Sequence, residues 1–425
     1  MTKANINNIG VISVFFLPLL LITGPAIPDI LITLLGFLAL IYIIKAFYNN
    51  EKIFTEYLFI FLLFFILMIF TTLFSTNITF SFFRFAVDVR YFLFIFFLIV
   101  YFKENLIKVF IFSLLALSIF LQLDMWFQYF VGYDIFGNTP NMQGTNRLNG
   151  PFKDKYVIGT YIAKLSLPVI GYLLYSYDNK KIYYFFVNIL SLVTLLSIMF
   201  SGERMAFLIF SFGLFLIYFF LNKYKFLFIN LLLILLIFIF SFFYSNQIKF
   251  KYYEFIYKLG FDKDLKIAQV LNLNQRNYSG LNLENSFFDE GHGAHFKVAY
   301  FIFLENPITG SGFKTFREEC KKDKYDIVKI DKKLRCSTHP HNIYLESLSD
   351  TGIIGFLSLL IFIFYIFYRG FLSKQYKNQM VGFFVLLIVI FWPISSIGNF
   401  FNNWNAILNF LFIGIFLSYS YNYKN

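Results

Sequence analysis

Apolar residues in this chain run in long blocks. A helix that crosses a bilayer needs about 20 consecutive apolar residues. Stretches near that length fall at residues 9–24, 28–47, 53–75, 81–102, 106–132, 156–177, 182–200, 205–221, 225–244, 343–368, 379–398 and 403–421. The pattern predicts an all-α, polytopic membrane protein with about twelve transmembrane helices. Residues 1–245 are expected to hold the first nine, with a short outer loop near 133–155; residues 246–342 form one long polar loop, and 343–425 the last three helices. The first block reads as a mature span and not a cleaved signal, because its flank carries a single Lys3 and a second apolar run follows at once. The fourth is the least uniform, since it contains Arg84, Asp88 and Arg90.

Composition narrows the class. Of 425 residues, 59% are hydrophobic and 14% charged, against roughly 45–50% and about 25% in soluble domains. That excludes a cytosolic enzyme, a secreted domain and a singly anchored protein. The 23% of aromatic residues excludes a disordered chain.

Charge then sets orientation. Thirteen of the 36 basic residues lie at helix ends that share a side with the N-terminus, while the short loops at 25–27, 76–80 and 399–402 have none. By the positive-inside rule both termini are expected in the cytoplasm and the long loop outside. That loop carries sixteen basic and twelve acidic residues, a net of +4. The mixture reads as a solvated, mostly helical periplasmic cap and not as a nucleic-acid surface. Within it, 250–270 interleaves aromatic residues with Lys and reads as an interfacial amphipathic helix.

Seven basic residues remain, in or beside the outer ends of the spans: Arg84, Arg90, Arg147, Lys153, Lys155, Lys164 and Arg204. Charge at such depth is costly, so each is a functional candidate by default. For Arg84, Arg90 and Lys164 a second reading stands beside that one: pairing with Asp88 or helix carbonyls, or reaching to a headgroup. Arg204 closes the tight turn Ser201-Gly202-Glu203-Arg204 between two spans, which aims a guanidinium outward.

All four histidines, His292, His295, His339 and His341, and both cysteines, Cys320 and Cys336, fall in the long loop. The spacing C-x15-C-x2-H-x-H matches no common zinc finger. Thiols on an oxidising face favour a disulfide, so a Cys320–Cys336 bridge is expected and no metal. A bridge closing a loop of about 15 residues is worth roughly 3 kcal/mol by the loop-closure argument.

The run His339-Pro340-His341-Asn342-Ile343-Tyr344-Leu345-Glu346, continuing to Asp350-Thr351-Gly352-Ile353-Ile354-Gly355, resembles the His-Asn-x-Tyr-Leu…Gly-Ile-x-Gly signature of O-antigen ligases and polymerases. Three further pieces resemble the family in order. They are Arg147-Leu148-Asn149-Gly150-Pro151-Phe152 with Gly159, the Ser201–Arg204 turn, and Asn306-Pro307-Ile308-Thr309-Gly310-Ser311-Gly312-Phe313. The resemblance covers residues 140–370. It departs at one point: where family ligases usually carry an arginine in the loop helix upstream of that Pro, this chain has His292, with His295 and Lys297 nearby.

The resemblance implies a metal-independent, inverting glycosyltransferase of the bacterial inner membrane with no cofactor. It would move a glycan from undecaprenyl diphosphate to an acceptor hydroxyl, such as that of the lipid A–core, at the periplasmic face, among membrane lipids. His341 is then the expected base, because imidazole titrates nearest neutrality; the alternative is that it caps the following helix. Arg147 and Arg204 are the expected diphosphate clamp. Arg90, Lys153, His292, His295, His339, Asn342 and Glu203 are candidate substrate contacts. A polymerase or a protein O-oligosaccharyltransferase would use the same donor. A lipid-linked-sugar transporter is a different class with the same span count, but no inverted repeat is visible and a transporter has no need of so long an external loop.

Overall fold

The computed structural model describes residues 3–49, 55–140, 147–153, 155–177, 181–244, 253, 291–394 and 400–424. Apart from Tyr253, the expected interfacial helix at 250–270 lies outside the described residues. The described residues contain α-helices and short 3-10 turns and no strand, which is the economical solution for chain in hydrocarbon, where each backbone N–H and C=O must be satisfied internally.

The helices are α1 (Lys3–Leu20), α2 (Ala26–Tyr48), α3 (Thr55–Leu73), α4 (Ile78–Tyr101), α5 (Ile107–Val131), α6 (Ile158–Ser176), α7 (Lys181–Phe200), α8 (Arg204–Phe220) and α9 (Tyr224–Tyr244). The loop segment supplies α10 (Gly291–Glu305), α11 (Phe316–Glu319) and α12 (Lys332–Arg335), and the last part α13 (Ile343–Leu372), α14 (Val381–Ile390) and α15 (Asn403–Lys424). Seven of them, α2, α3, α5, α6, α7, α13 and α15, are long and apolar enough to cross a membrane, and α1, α8, α9 and α14 are shorter apolar helices. The α14 helix ends at Ile390, short of the expected 398. Pro393 lacks an amide hydrogen and disfavours helical backbone at Trp392 before it, so the helix cannot continue through that point.

The chain divides into two compact units. The first comprises Met1–Leu67, Phe83–Asn230 and Leu357–Asn425. Within it α6 and α15 are enclosed, with 83% and 94% of their apolar windows buried against 28% for α2, whose outer face exposes Ile30, Leu34 and Phe37. Helices α6 and α14 meet through Gly171 and Gly382: a Cβ built on Gly171 would lie 2.4 Å from the Gly382 nitrogen. Small residues allow this backbone approach, and dispersion contacts replace the hydrophobic drive that lipid does not supply.

Three buried or half-buried cations in this unit have neighbouring partners. Lys164 on α6 donates to the Asn409 and Asn405 side-chain oxygens of α15 at 2.8 and 3.0 Å. Arg90 on α4 pairs with Asp29 on α2 at 3.0 Å and lies over the Tyr91 ring. Arg369 pairs with Glu56 at 2.6 Å. Arg90 thus hydrogen-bonds Asp29 and the Tyr91 hydroxyl, with Asp88 adding a favourable charge, and Lys164 is held by two side-chain amides.

The second unit comprises Met68–Phe82 and Leu231–Phe356. Its core is formed by Ala294, Val298, Ala299 and Ile302 of α10 with Phe316, Cys320, Tyr325, Val328 and Ile330. The 307–312 segment runs along the start of α13: Ser311 and Gly312 donate to the Ser349 and Asp350 carbonyls at 2.9 and 2.7 Å, and Ile353 donates back to the Pro307 carbonyl at 2.9 Å. Gly352 breaks the helical backbone at φ 61°. A Cβ there would stand 2.4 Å from the Ile308 carbonyl oxygen, and one on Gly310 would stand 2.4 Å from Asp350 main chain. The kink in α13 thus has a glycine as its cause.

Replacing Gly382 by Val should cost at least about 1–3 kcal/mol through forced separation of α6 and α14. The thermal midpoint of the detergent-solubilised protein should fall accordingly; an unchanged midpoint would mean that the close approach is not limiting.

Candidate functional site

Two groups of candidate residues stand out, one in each unit. In the first unit, the 147–152 stretch and the Ser201–Arg204 turn are brought together. The Leu148 amide donates to the Ser201 carbonyl at 3.1 Å. The Glu203 carboxylate accepts from the Gly159 amide at 2.6 Å and from the Thr160 amide and hydroxyl at 3.2 and 2.7 Å. These are the first amides of α6, where free N–H groups and the helix dipole favour an anion. Burial pushes the Glu203 carboxyl up from its ordinary range, while the Thr160 bonds and nearby Arg147 oppose that shift. Gly159 is required here, since a Cβ would meet the Ser201 hydroxyl at 2.5 Å.

Arg147 donates through one terminal nitrogen to the Tyr156 carbonyl at 3.2 Å and lies 5.3 Å from the Tyr156 ring centre. Its Nε is buried without a hydrogen-bond partner, so donor capacity remains. Arg204 is half-buried as the first residue of α8, and Lys153 is exposed at positive φ. The stretch is anchored from α5 by Gln128, which receives the Gly150 amide at 2.9 Å and donates to Asn149 at 2.7 Å. Sequence reasoning passed over Gln128; the available signal was a carboxamide inside an apolar span.

In the second unit, all four histidines converge. His292 and His295 lie three residues apart on α10, on one helix face. His339 and His341 arrive from the loop before α13. The His341 ring centre is 4.1 Å from that of His339, 4.2 Å from His292 and 5.3 Å from His295. Cys320 and Cys336 are joined as a disulfide, with Cα atoms 5.4 Å apart. Beside it Arg335 is fully buried, donating to the Cys320 and Lys322 carbonyls at 2.9 and 3.0 Å and pairing with Asp326. His341 holds left-handed backbone, φ 62°, which turns the chain into α13.

The helix cap is Asn342, not His341. Its side-chain oxygen accepts from the Tyr344 and Leu345 amides at 3.0 and 3.1 Å, the usual service of an Asn at this position. The His341 ring is thereby left to other work, and its Nε2 lies 3.3 Å from the Ser337 hydroxyl.

Burial disfavours the charged form of three of these rings. His295 is brought down to about 4, first by desolvation and then by His292. His339 is also near 4, by desolvation, His295, His292 and Arg317. His341 lies lower still, by desolvation and then by its three neighbours. Arg317 is a cation that sequence reasoning did not single out, and its Nε is buried without a partner.

These features define a multi-pass helical membrane protein with an imidazole-rich loop site. Comparison with known families agrees: the O-antigen ligase family model matches residues 189–360. This segment is therefore similar to the O-antigen ligase domain, which supports a function of the O-antigen ligase or polymerase type. The match takes in the Ser201–Arg204 turn, the 307–312 segment and the histidine loop; the 147–152 stretch precedes it. No curated protein matches the chain.

Replacing Cys320 and Cys336 together by Ser should lower the stability of the loop by about 3 kcal/mol. Limited proteolysis of the double variant should cleave between the two positions faster than in wild type. Equal cleavage rates would show that the bridge does not hold the segment.

Proposed function

We propose that the protein is a ligase that moves a glycan from undecaprenyl diphosphate to a hydroxyl of the lipid A–core at the periplasmic face of the bacterial inner membrane, both termini being cytoplasmic. The observation that carries this reading is the convergence of four imidazoles inside the segment similar to the O-antigen ligase domain.

The acceptor hydroxyl must give up its proton as it attacks the anomeric carbon from the face opposite the leaving diphosphate, which inverts the configuration. A neutral imidazole with a free lone pair is suited to take that proton, and His341 is assigned the role. On its own His341 is a weak base, because burial and three neighbouring imidazoles disfavour its cation. A bound anionic donor changes the balance, since nearby negative charge raises an imidazole pKa. Arg147 and Arg204 are assigned to the diphosphate, where a planar fork matches phosphate oxygens and does not titrate. This assignment uses no metal for leaving-group departure. Glu203 holds the α6 terminus, and Arg90, paired with Asp29, contributes to the scaffold.

A deletion strain complemented with wild type or His341→Ala supplies the test. Lipopolysaccharide on gels and carrier-linked glycan are measured in parallel. The ligase reading expects loss of the ladder with long carrier-linked chains accumulating in the variant. A core bearing a single repeat would instead identify a polymerase, and an unchanged ladder would exclude the lipid A–core as acceptor. Arg147→Lys and Arg204→Lys should each lose most activity, as an ammonium cannot reproduce the fork. Wild-type rates in both would remove the clamp.

A further inference from the structure

We propose that His292, His295 and His341 form a binding site for one divalent cation of the zinc class. Each residue offers one ring nitrogen, and the three nitrogens lie within 4.8 Å of one another. Zinc–nitrogen distances of about 2.0–2.1 Å place tetrahedral ligand atoms roughly 3.3 Å apart. Small ring rotations close that gap, and His292 is exposed enough to supply them.

In two of the three rings, His295 and His341, the second nitrogen is arranged as ligating imidazoles require. The His295 ring is hydrogen-bonded to the Leu334 backbone, and its Nδ1 is buried with no hydrogen-bond partner. The His341 Nε2 faces the Ser337 hydroxyl at 3.3 Å, which leaves Nδ1 for a ligand. In metal sites the outer hydrogen bond fixes the ring and leaves the inner lone pair aimed at the ion. His339 spends its Nδ1 on the Thr338 hydroxyl at 2.8 Å and stands outside the triad.

The donor set selects the class of ion. Three imidazoles with neither carboxylate nor thiolate suit zinc, copper, nickel or cobalt and disfavour magnesium and calcium. Cys320 and Cys336 are committed to each other. Exposed His292 gives the ion an entry path, and three protein ligands leave a position for water. Sequence spacing directed attention to Cys320, Cys336, His339 and His341, because the α10 pair joins His341 only through the fold.

Binding at this site stands on its own geometry. Its consequence rests on the proposed role of His341: a metal holding that ring removes the lone pair that takes the proton, so occupancy should inhibit transfer.

The experiment uses full-length protein purified in detergent without a polyhistidine tag and stripped with a chelator. It is titrated with Co2+, followed by visible d–d absorption, and then with Zn2+ in competition. One equivalent should bind to wild type. His292→Gln and His295→Gln should each weaken binding at least about tenfold, at an unchanged melting temperature. Absence of saturable Co2+ and Zn2+ binding in wild type, or wild-type affinity in both variants, would overturn the site and leave the transferase reading intact. Saturable binding with undiminished transfer would keep the site and remove His341 as the base.

Discussion

The second unit depends on a backbone seam that admits no side chains. Between 307–312 and 349–354 the main chains exchange hydrogen bonds in both directions, and the seam closes because Gly310 and Gly352 carry no Cβ. The amide of Ile353 is released from the helical ladder by the break at Gly352 and is spent on Pro307. Asp350 completes the joint, its carboxylate receiving the Lys314 and Phe316 amides at 3.0 Å each. A broken helix leaves orphaned polar groups, which are costly when buried; here the neighbouring segment satisfies them. The loop is thereby fixed to the start of α13, and His341 stands immediately before that start.

In the first unit a single carboxylate does comparable service. A buried carboxylate is expensive unless several donors receive it. Glu203 has three, all from the beginning of α6. The arrangement satisfies the helix terminus and positions Arg204 one residue further on, while Arg147 adds a favourable charge. Arg147 is only partly spent, on one carbonyl and one ring face. A phosphate, which accepts two parallel bonds from a guanidinium, is a stronger partner than a single carbonyl.

Much of this was legible in the sequence. Blocks of apolar residues located the helices, since a span must be long and continuous. The Pro307–Gly312 and Asp350–Gly355 runs were visible as motifs, but their meaning was not: glycine spacing does not say which backbone approaches which. Asn342 was read as a candidate substrate contact, and the sequence also carried the signal of its capping role, an Asn before an apolar run. Arg335 and Gln128 escaped notice because their roles are to satisfy carbonyls and amides distant in sequence, and no local pattern encodes such partners. The shortness of α14 could have been read from Pro393; the apolar run around it outweighed that signal.

The histidines show the same limit from the side of chemistry. Their shared loop was evident, but convergence depends on α10 packing its Ala294, Val298 and Ile302 face into the core, which presents His292 and His295 to the later segment. A disulfide, a buried arginine and a left-handed residue then bring His341 to them. His295 and His341 each have one nitrogen engaged by a neighbour and one left for a ligand, and a lone pair serves a single partner at a time. A proton from an acceptor hydroxyl and a divalent cation are therefore alternatives at His341, and the same preorganisation that suits the ring to catalysis suits it to metal capture.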